Sequence, residues 1–344
     1  MAKADPLITV FMPVYNGQRF LREAVESVLN QSFTDFEFLI IDDGSTDGSP
    51  EIIRSYSDPR IRRVTSDSNL KLPATRNRGL ELASGRYLAN MDCDDVSRSD
   101  RLLTQFRFME SHPEVGACGS WVRMICYRGN AIKRRETIKY PMSPAQIKSG
   151  LLFDQPLANP SAMMRLTAVR SAGLIYEPEH LAGLEDWGFW QKASFCFDLA
   201  NIPQVLLDYR FFEGNLSNRS GDQRKEIIKL INRRNLEKLG VGFSPHETMM
   251  HCVNAVTGDR VQLSDYHQWL ESLARANRIK NIYPREEFDR TVAEQWWSAC
   301  LQNTRLGPAA WMIFWQGPLS RKAAPGTLQL AKFAVKCMLM FGRE

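Results

Sequence analysis

Over the first half of the chain, short apolar runs alternate with stretches whose apolar positions recur every three or four residues. The first run, LITVFM from Leu7 to Met12, is stopped by Pro13. It lacks polar alternation and predicts a parallel strand buried on both faces. Phe20, Leu21, Ala24, Val25, Val28 and Leu29 then mark the apolar face of a helix. FEFLII (Phe36 to Ile41) predicts a second strand, and the turn-rich DDGSTDGSP after it leads into a helix from Pro50 to about Ser57. IRRVT is a third strand, a helix runs from about Pro73 to Ala83, and GRYLANM is a fourth strand. This alternation predicts an α/β fold: a doubly wound, mostly parallel sheet with right-handed crossovers. Ligands of such sheets bind beyond the carboxyl ends of the strands. Three polar loops fall there, Pro13 to Gly17, Asp42 to Gly48 and Asp92 to Asp95, and parallel strands would gather them at one edge.

After Pro113 the pattern loosens. VGACGSWVRMI reads as a strand, LANPSAMMR as a loop and strand, AGLEDWGFWQKASF as a helix and NIPQVLLDYRF as a closing strand. From about Gln223 the chain is mostly helical. We expect a first domain over 1–220 and a mainly helical C-terminal region over 221–344.

Composition narrows the class. A hydrophobic fraction of 44% and a charged fraction of 24% over 344 residues suit a globular protein with a real core. The net charge of +5 is too small to argue for nucleic acid, but from Arg305 to Glu344 six basic residues face one acid. A basic, apolar C-terminal end with Trp311 and Trp315 fits either a membrane interface or a helix packed on the protein with Lys332 and Lys336 outward. Seven cysteines without a CxxC pair read as free thiols. With no signal-peptide pattern and no long apolar span, the expected location is cytoplasmic, at most at the inner face of the membrane.

The candidate chemistry lies in the loops. Asp92, Asp94 and Asp95 occupy three of four consecutive positions after the fourth strand. Hard oxygen ligands at this spacing suit a divalent cation, Mn2+ or Mg2+, shared with a phosphorylated ligand. The alternative is a cap for the helix that SRSDRL opens. On these residues alone the two readings stand level. Asp42 and Asp43 end the second strand, where an acid can accept from a base or a ribose, although a solvated turn explains them too. Glu185 and Asp186, beside Trp187, open a helix, where a carboxylate is either held as an anion or serves as general base. Arg76, Arg78 and Arg210 are candidate phosphate contacts. No GxGxxG follows the first strand and no GxxxxGK[ST] occurs, which argues against dinucleotide oxidoreductases and P-loop enzymes.

Taken together, ITVFMPVYNGQRFLREAVESVLNQSFTDFEFLIIDDGSTDGS, ATRNRGLELASGRYLANMDCDD and GLEDWGFW resemble the inverting family 2 glycosyltransferases with the A-type nucleotide-sugar fold. The resemblance spans roughly Leu7 to Ser217. It implies that Pro13, Tyr15 and Asp42 bind the nucleoside, that Asp92 and Asp94 form a DxD pair for ribose and metal, and that Asp186 is the catalytic base. Asp43 and Arg76 fall at family positions around the nucleotide; Glu185, Trp187 and Arg210 are candidate acceptor or diphosphate contacts. It also implies a nucleoside diphosphate sugar, a UDP-sugar, as donor and a glycan or lipid-linked acceptor. The chain departs from the pattern at Gly188 and Gln191, where relatives carry Asp and Arg, and at Phe211 or Phe212, where many carry His. The competing readings are a non-catalytic nucleotide-sugar-binding or scaffold protein on the same fold, and a sugar nucleotidyltransferase. The latter would need a glycine-rich basic loop that MPVYNGQRF lacks.

Overall fold

A computed structural model describes residues 5–129, 131–177, 183–213, 221–242, 244, 251, 260–323 and 325–339. The chain divides into two compact units, 1–147 with 155–220, and 148–154 with 221–344.

In chain order the first unit contains β1 (Ile8–Val14), α1 (Gln18–Leu29), β2 (Phe36–Asp42), α2 (Ser49–Arg54), β3 (Ile61–Thr65), α3 (Leu72–Leu82), β4 (Tyr87–Asn90) and β5 (Val96–Ser97). There follow α4 (Arg101–Ser111), β6 (Val115–Arg128), β7 (Ala131–Ile138), α5 (Pro144–Gly150, whose last three residues belong to the second unit), β8 (Met163–Arg165), α6 (Leu166–Ser171), α7 (Glu185–Ala193) and β9 (Asp198–Phe211). One sheet holds all nine strands in the order β3-β2-β1-β4-β8-β6-β9-β5, with β7 on β6. The β3-β2-β1-β4 half is parallel throughout. The other half is mixed, because β8 runs antiparallel to both β4 and β6 while β6 and β9 are parallel. The expected class therefore holds, with an antiparallel splice that the sequence pattern does not contain.

All seven residues of β1 are buried, as expected of a strand covered on both faces. Leu21, Ala24, Val25 and Val28 of α1 join the same core. Each fully buried Val or Leu there is worth about 1.5–3 kcal/mol.

Pro13 does not stop β1, which continues to Val14. The Phe11 carbonyl accepts from the Met91 N–H, whereas the Val14 carbonyl accepts from the Asp43 N–H. Odd positions thus face β4, and Pro13 meets that side beyond the end of β4 at Asn90, where no ladder bond is lost.

In the second unit, helices span Gly221–Leu239, Arg260–Lys280, Arg285–Gln302, Pro308–Phe314, Leu319–Ala323 and Thr327–Leu339. Within it the buried His251 ring lies against Phe153 and bonds the Leu152 carbonyl at 2.9 Å. Among the described residues no helix is long and apolar enough to cross a membrane.

Candidate active site

The three loops do meet at the carboxyl edge of the parallel strands. The Asn16 side chain accepts the Thr46 N–H at 2.8 Å, the Gly17 N–H donates to Ser49 Oγ at 3.0 Å, and the Gln18 N–H donates to Asp47 at 3.0 Å. Asn16 adopts a positive φ of 52°, a conformation Asn tolerates better than most residues. At Gly17 a Cβ would lie 2.8 Å from Cys93 Sγ, so any larger residue there has to push the Cys93 side chain aside. Cys93 therefore packs under the first loop, outside the acidic cluster.

Within the second loop the carboxylates serve the backbone. Asp42, buried, accepts the Ser45 N–H at 3.0 Å. Asp43, also buried, accepts the Leu70 N–H on one oxygen and the Lys71 N–H on the other, at 2.9 and 3.0 Å. It braces the strained entry to α3, where Lys71 has φ 74°. Pro13 lies in β1 one residue before its end, and Tyr15 is exposed in the first loop.

Beyond β4, Asp92, Asp94 and Asp95 bring one carboxylate oxygen each to within 4.8 Å of the others. They do not cap α4. That helix begins after Asp100, whose side chain makes no cap bond, and the free Leu102 N–H goes to Gln31 Oε1 at 3.0 Å. The Ser99 carbonyl accepts the Ser32 N–H. The helix-cap alternative therefore fails. Asp95 is fully buried, with Oδ1 accepting the Arg210 N–H at 2.9 Å and Oδ2 unpartnered.

Burial, then repulsion from Asp92, pushes the Asp94 carboxyl up to about 7. Burial, then Asp94 and Asp92, holds Asp95 well above the carboxylate range. Burial also raises Asp92, against the pull of Arg76. Crowded hard oxygens, one of them orphaned, fit a divalent cation.

Arg76 connects this cluster to α7. Its guanidinium is buried, donates from Nη1 to Glu185 Oε1 at 2.6 Å, and approaches Asp92 from Nη2 at 3.6 Å. Burial alone would lower Arg76, but Glu185, Asp92 and Asp186 outweigh it and raise it. Glu185 is buried, and burial lifts it to about 7 despite Arg76; its second oxygen has no partner. Two further contacts clamp α3 to α7. Asn77 exchanges two bonds of 2.8 Å with the Tyr176 backbone, and the Tyr176 ring stacks on Phe189 at 4.4 Å.

Asp186, half-buried, accepts from Gln155 Nε2 at 2.6 Å and from the Trp187 N–H at 2.9 Å. Trp187 itself is buried in α7. Arg210 is buried at the end of β9; it donates from Nη1 to the Asp94 carbonyl at 3.0 Å, pairs with Glu23 and covers the Phe20 ring at 4.7 Å. Arg78 bonds Ser66 Oγ at 3.1 Å.

Sequence reasoning missed several members of this cluster. Arg101 lies buried behind the aspartates, with Nη2 on the Asn90 carbonyl at 2.7 Å and Nε on Gln105 at 2.9 Å. Burial lowers it to about 10, opposed by Cys118, Asp95 and Asp92. The apolar context of SDRLL gave one signal, a basic residue on a helix's inner face. Gln155 and Tyr176 carried none.

The model for the glycosyl transferase family 2 matches residues 9–169, which takes in the first three loops and stops short of Glu185. An uncharacterized glycosyltransferase of Haemophilus influenzae is 30% identical over 247 residues, 69% of this chain and 76% of that one. The putative teichuronic acid biosynthesis glycosyltransferase TuaG of Bacillus subtilis is 40% identical over 111 residues, 32% of this chain and 44% of that one. Among solved structures, S. aureus TarS 1-349 in complex with UDP-GlcNAc superposes with a TM-score of 0.57 at 17% identity, over 85% of this chain and 86% of that one. That likeness is one of fold.

Proposed function

The chain belongs to glycosyl transferase family 2, and on that premise we propose that it moves a sugar from a nucleoside diphosphate sugar, a UDP-sugar, to a hydroxyl of a glycan or lipid-linked acceptor in cell-surface polysaccharide synthesis, with inversion. The relative assigned to teichuronic acid biosynthesis and the fold shared with a UDP-GlcNAc complex support this reading. The observation that carries it is the buried Arg76 bridge, which joins Asp92 beyond β4 to Glu185 at the start of α7.

In this reading Pro13, Tyr15 and Asp42 frame the nucleoside, with Asp43 shaping the loop. Asp92 and Asp94, aided by Asp95, would hold a divalent cation, which supplies charge neutralisation for the leaving diphosphate. The Asp186 carboxylate takes the proton of the acceptor hydroxyl. The acceptor oxygen forms its bond to the anomeric carbon as the bond to the diphosphate oxygen breaks, and the nucleoside diphosphate leaves with that electron pair. Gln155 fixes one Asp186 oxygen, which sets the direction of the base. Glu185, tied to Arg76, holds the first turn of α7 in register with the donor loop. The departures at Gly188, Gln191 and Phe211 or Phe212 would fall on the acceptor side, and Phe212 packs on Phe20 at 5.1 Å. We place the protein in the cytoplasm, at the inner membrane face where lipid-linked acceptors lie.

Asp186→Asn tests the assignment. It is expected to keep UDP affinity by calorimetry and to lose transfer by about a hundredfold or more, the scale of general-base catalysis. Near wild-type turnover with acceptor would refute Asp186 as base.

A further inference from the structure

The helix Thr327–Leu339 is apolar on two opposite sides. Successive residues of an α-helix turn by about 100°. Phe333 and Cys337 are buried, and the Phe333 ring meets Trp297 at 5.1 Å, Trp311 at 5.7 Å and Phe314 at 5.7 Å. This side anchors the helix within its own unit. On the far side, Leu328, Val335 and Leu339, at spacings of seven and four, form one line and are 67%, 52% and 70% exposed. Met338 is 70% exposed beside them, with Ala331 also exposed. A helix that only packs on its neighbours would turn polar residues outward.

The polar residues that do border this line are of one sign. Lys332 and Lys336 are exposed along one edge. No Asp or Glu occurs from Arg305 to Leu339. An outward apolar stripe flanked by lysines, on a helix too short to span a bilayer, matches the interface of an anionic lipid surface, which takes apolar side chains into the acyl boundary and lysines at the headgroups. A protein partner would need an acidic rim to serve the same lysines.

We propose that the outer face of the Thr327–Leu339 helix docks the protein on a bilayer containing anionic phospholipid, through Leu328, Val335, Met338 and Leu339 with Lys332 and Lys336 at the headgroups. This deepens the proposed placement of the enzyme at a membrane, but its test involves no donor and no acceptor. Failure to bind lipid leaves the transferase chemistry standing, and failure of transfer leaves the docking standing.

The test is flotation of the full chain with vesicles of phosphatidylcholine alone and of phosphatidylcholine with phosphatidylglycerol. Wild type is expected to float with the anionic vesicles only, and less as salt rises. Leu328→Ser/Val335→Ser/Leu339→Ser is expected to stay at the bottom, while Ile279→Ser, altered at an exposed residue on another helix, floats as wild type. Lys332→Gln/Lys336→Gln is expected to weaken partitioning roughly thirtyfold, from about 1 kcal/mol per lysine near the surface. The lysine pair keeps the proposal testable should the triple variant misfold. No flotation, or equal flotation on neutral vesicles, overturns it. So does a wild-type dimer in light scattering that the triple variant abolishes while floating unchanged, since a second copy would then cover the face.

Discussion

Arg76→Lys isolates the bridge between the loop beyond β4 and α7. The substitution keeps a positive charge in a buried place but replaces a fork with a point. The two carboxylates are met by different nitrogens, Nη1 for Glu185 and Nη2 for Asp92, so an ammonium can serve one of them well and not both. An ammonium turned toward Asp92 gives up the 2.6 Å hydrogen bond to Glu185, at a cost of about 1.5–3 kcal/mol. Taking about 2 kcal/mol, a unit of some 200 residues should lose roughly 4–8 °C of Tm. Were the same energy fully expressed in the placement of α7, kcat would fall about thirtyfold. UDP affinity, assigned in the proposed reading to loops that Arg76 meets through Asp92, should fall less. Arg76→Met is the harsher control: it strands the buried Glu185 and leaves the half-buried Asp92 without its partner, a change costing about 3–5 kcal/mol. The assays are thermal unfolding, calorimetry with UDP, and transfer with a saturating donor. An Arg76→Lys protein with wild-type Tm and wild-type kcat would refute the bridge as a positioning device.

Asp94→Ala should remove the Mn2+-dependent part of UDP binding in calorimetry, and equal affinity with and without Mn2+ in the wild type would defeat the cation assignment. The pH dependence follows from Asp94 and Glu185, both raised to about 7 in the folded chain. A raised carboxyl stabilises the fold below its unfolded pKa and loses that contribution as pH climbs through the folded value, so in the cation-free protein these two groups should lower the Tm of the first unit between about pH 4 and pH 8, while the buried His251 of the second unit, lowered to about 4, acts there in the opposite sense. Mn2+ competes with the proton on Asp94, so its stabilising increment should grow over the upper part of that window; a flat increment would contradict the shift. Gly17→Ala should push Cys93 and lower both stability, by about 1–3 kcal/mol, and UDP affinity. An unchanged denaturation midpoint would show that the crowding at Cys93 is readily relieved.

The parallel half of the fold was legible because its strands are buried on both faces and read as unbroken apolar runs, and because turn chemistry punctuates them. The antiparallel splice was not. Met163–Arg165 is too short to carry a period, and nothing local tells a three-residue strand which neighbours it will join. The candidate site followed the same division. Asp92, Asp94, Glu185 and Asp186 stand out as acids at element ends. Their support does not, since Gln155 and Tyr176 look like ordinary loop residues and Arg101, only six positions after Asp95, looks like one more base at the start of a helix. Asp43 was visible as an acid, but its work on the Leu70 and Lys71 amides depends on a loop 27 residues downstream.

The shortness of β8 bears on how the molecule can be divided. It is the strand through which the β3-β2-β1-β4 half joins β6 and β9. A fragment ending before it would contain every position proposed for the nucleoside yet leave the edge of β4 open and sticky, a template for aggregation. Chimeras that exchange acceptor specificity between relatives should therefore place their junction after Arg165, so that the splice travels with the half it closes.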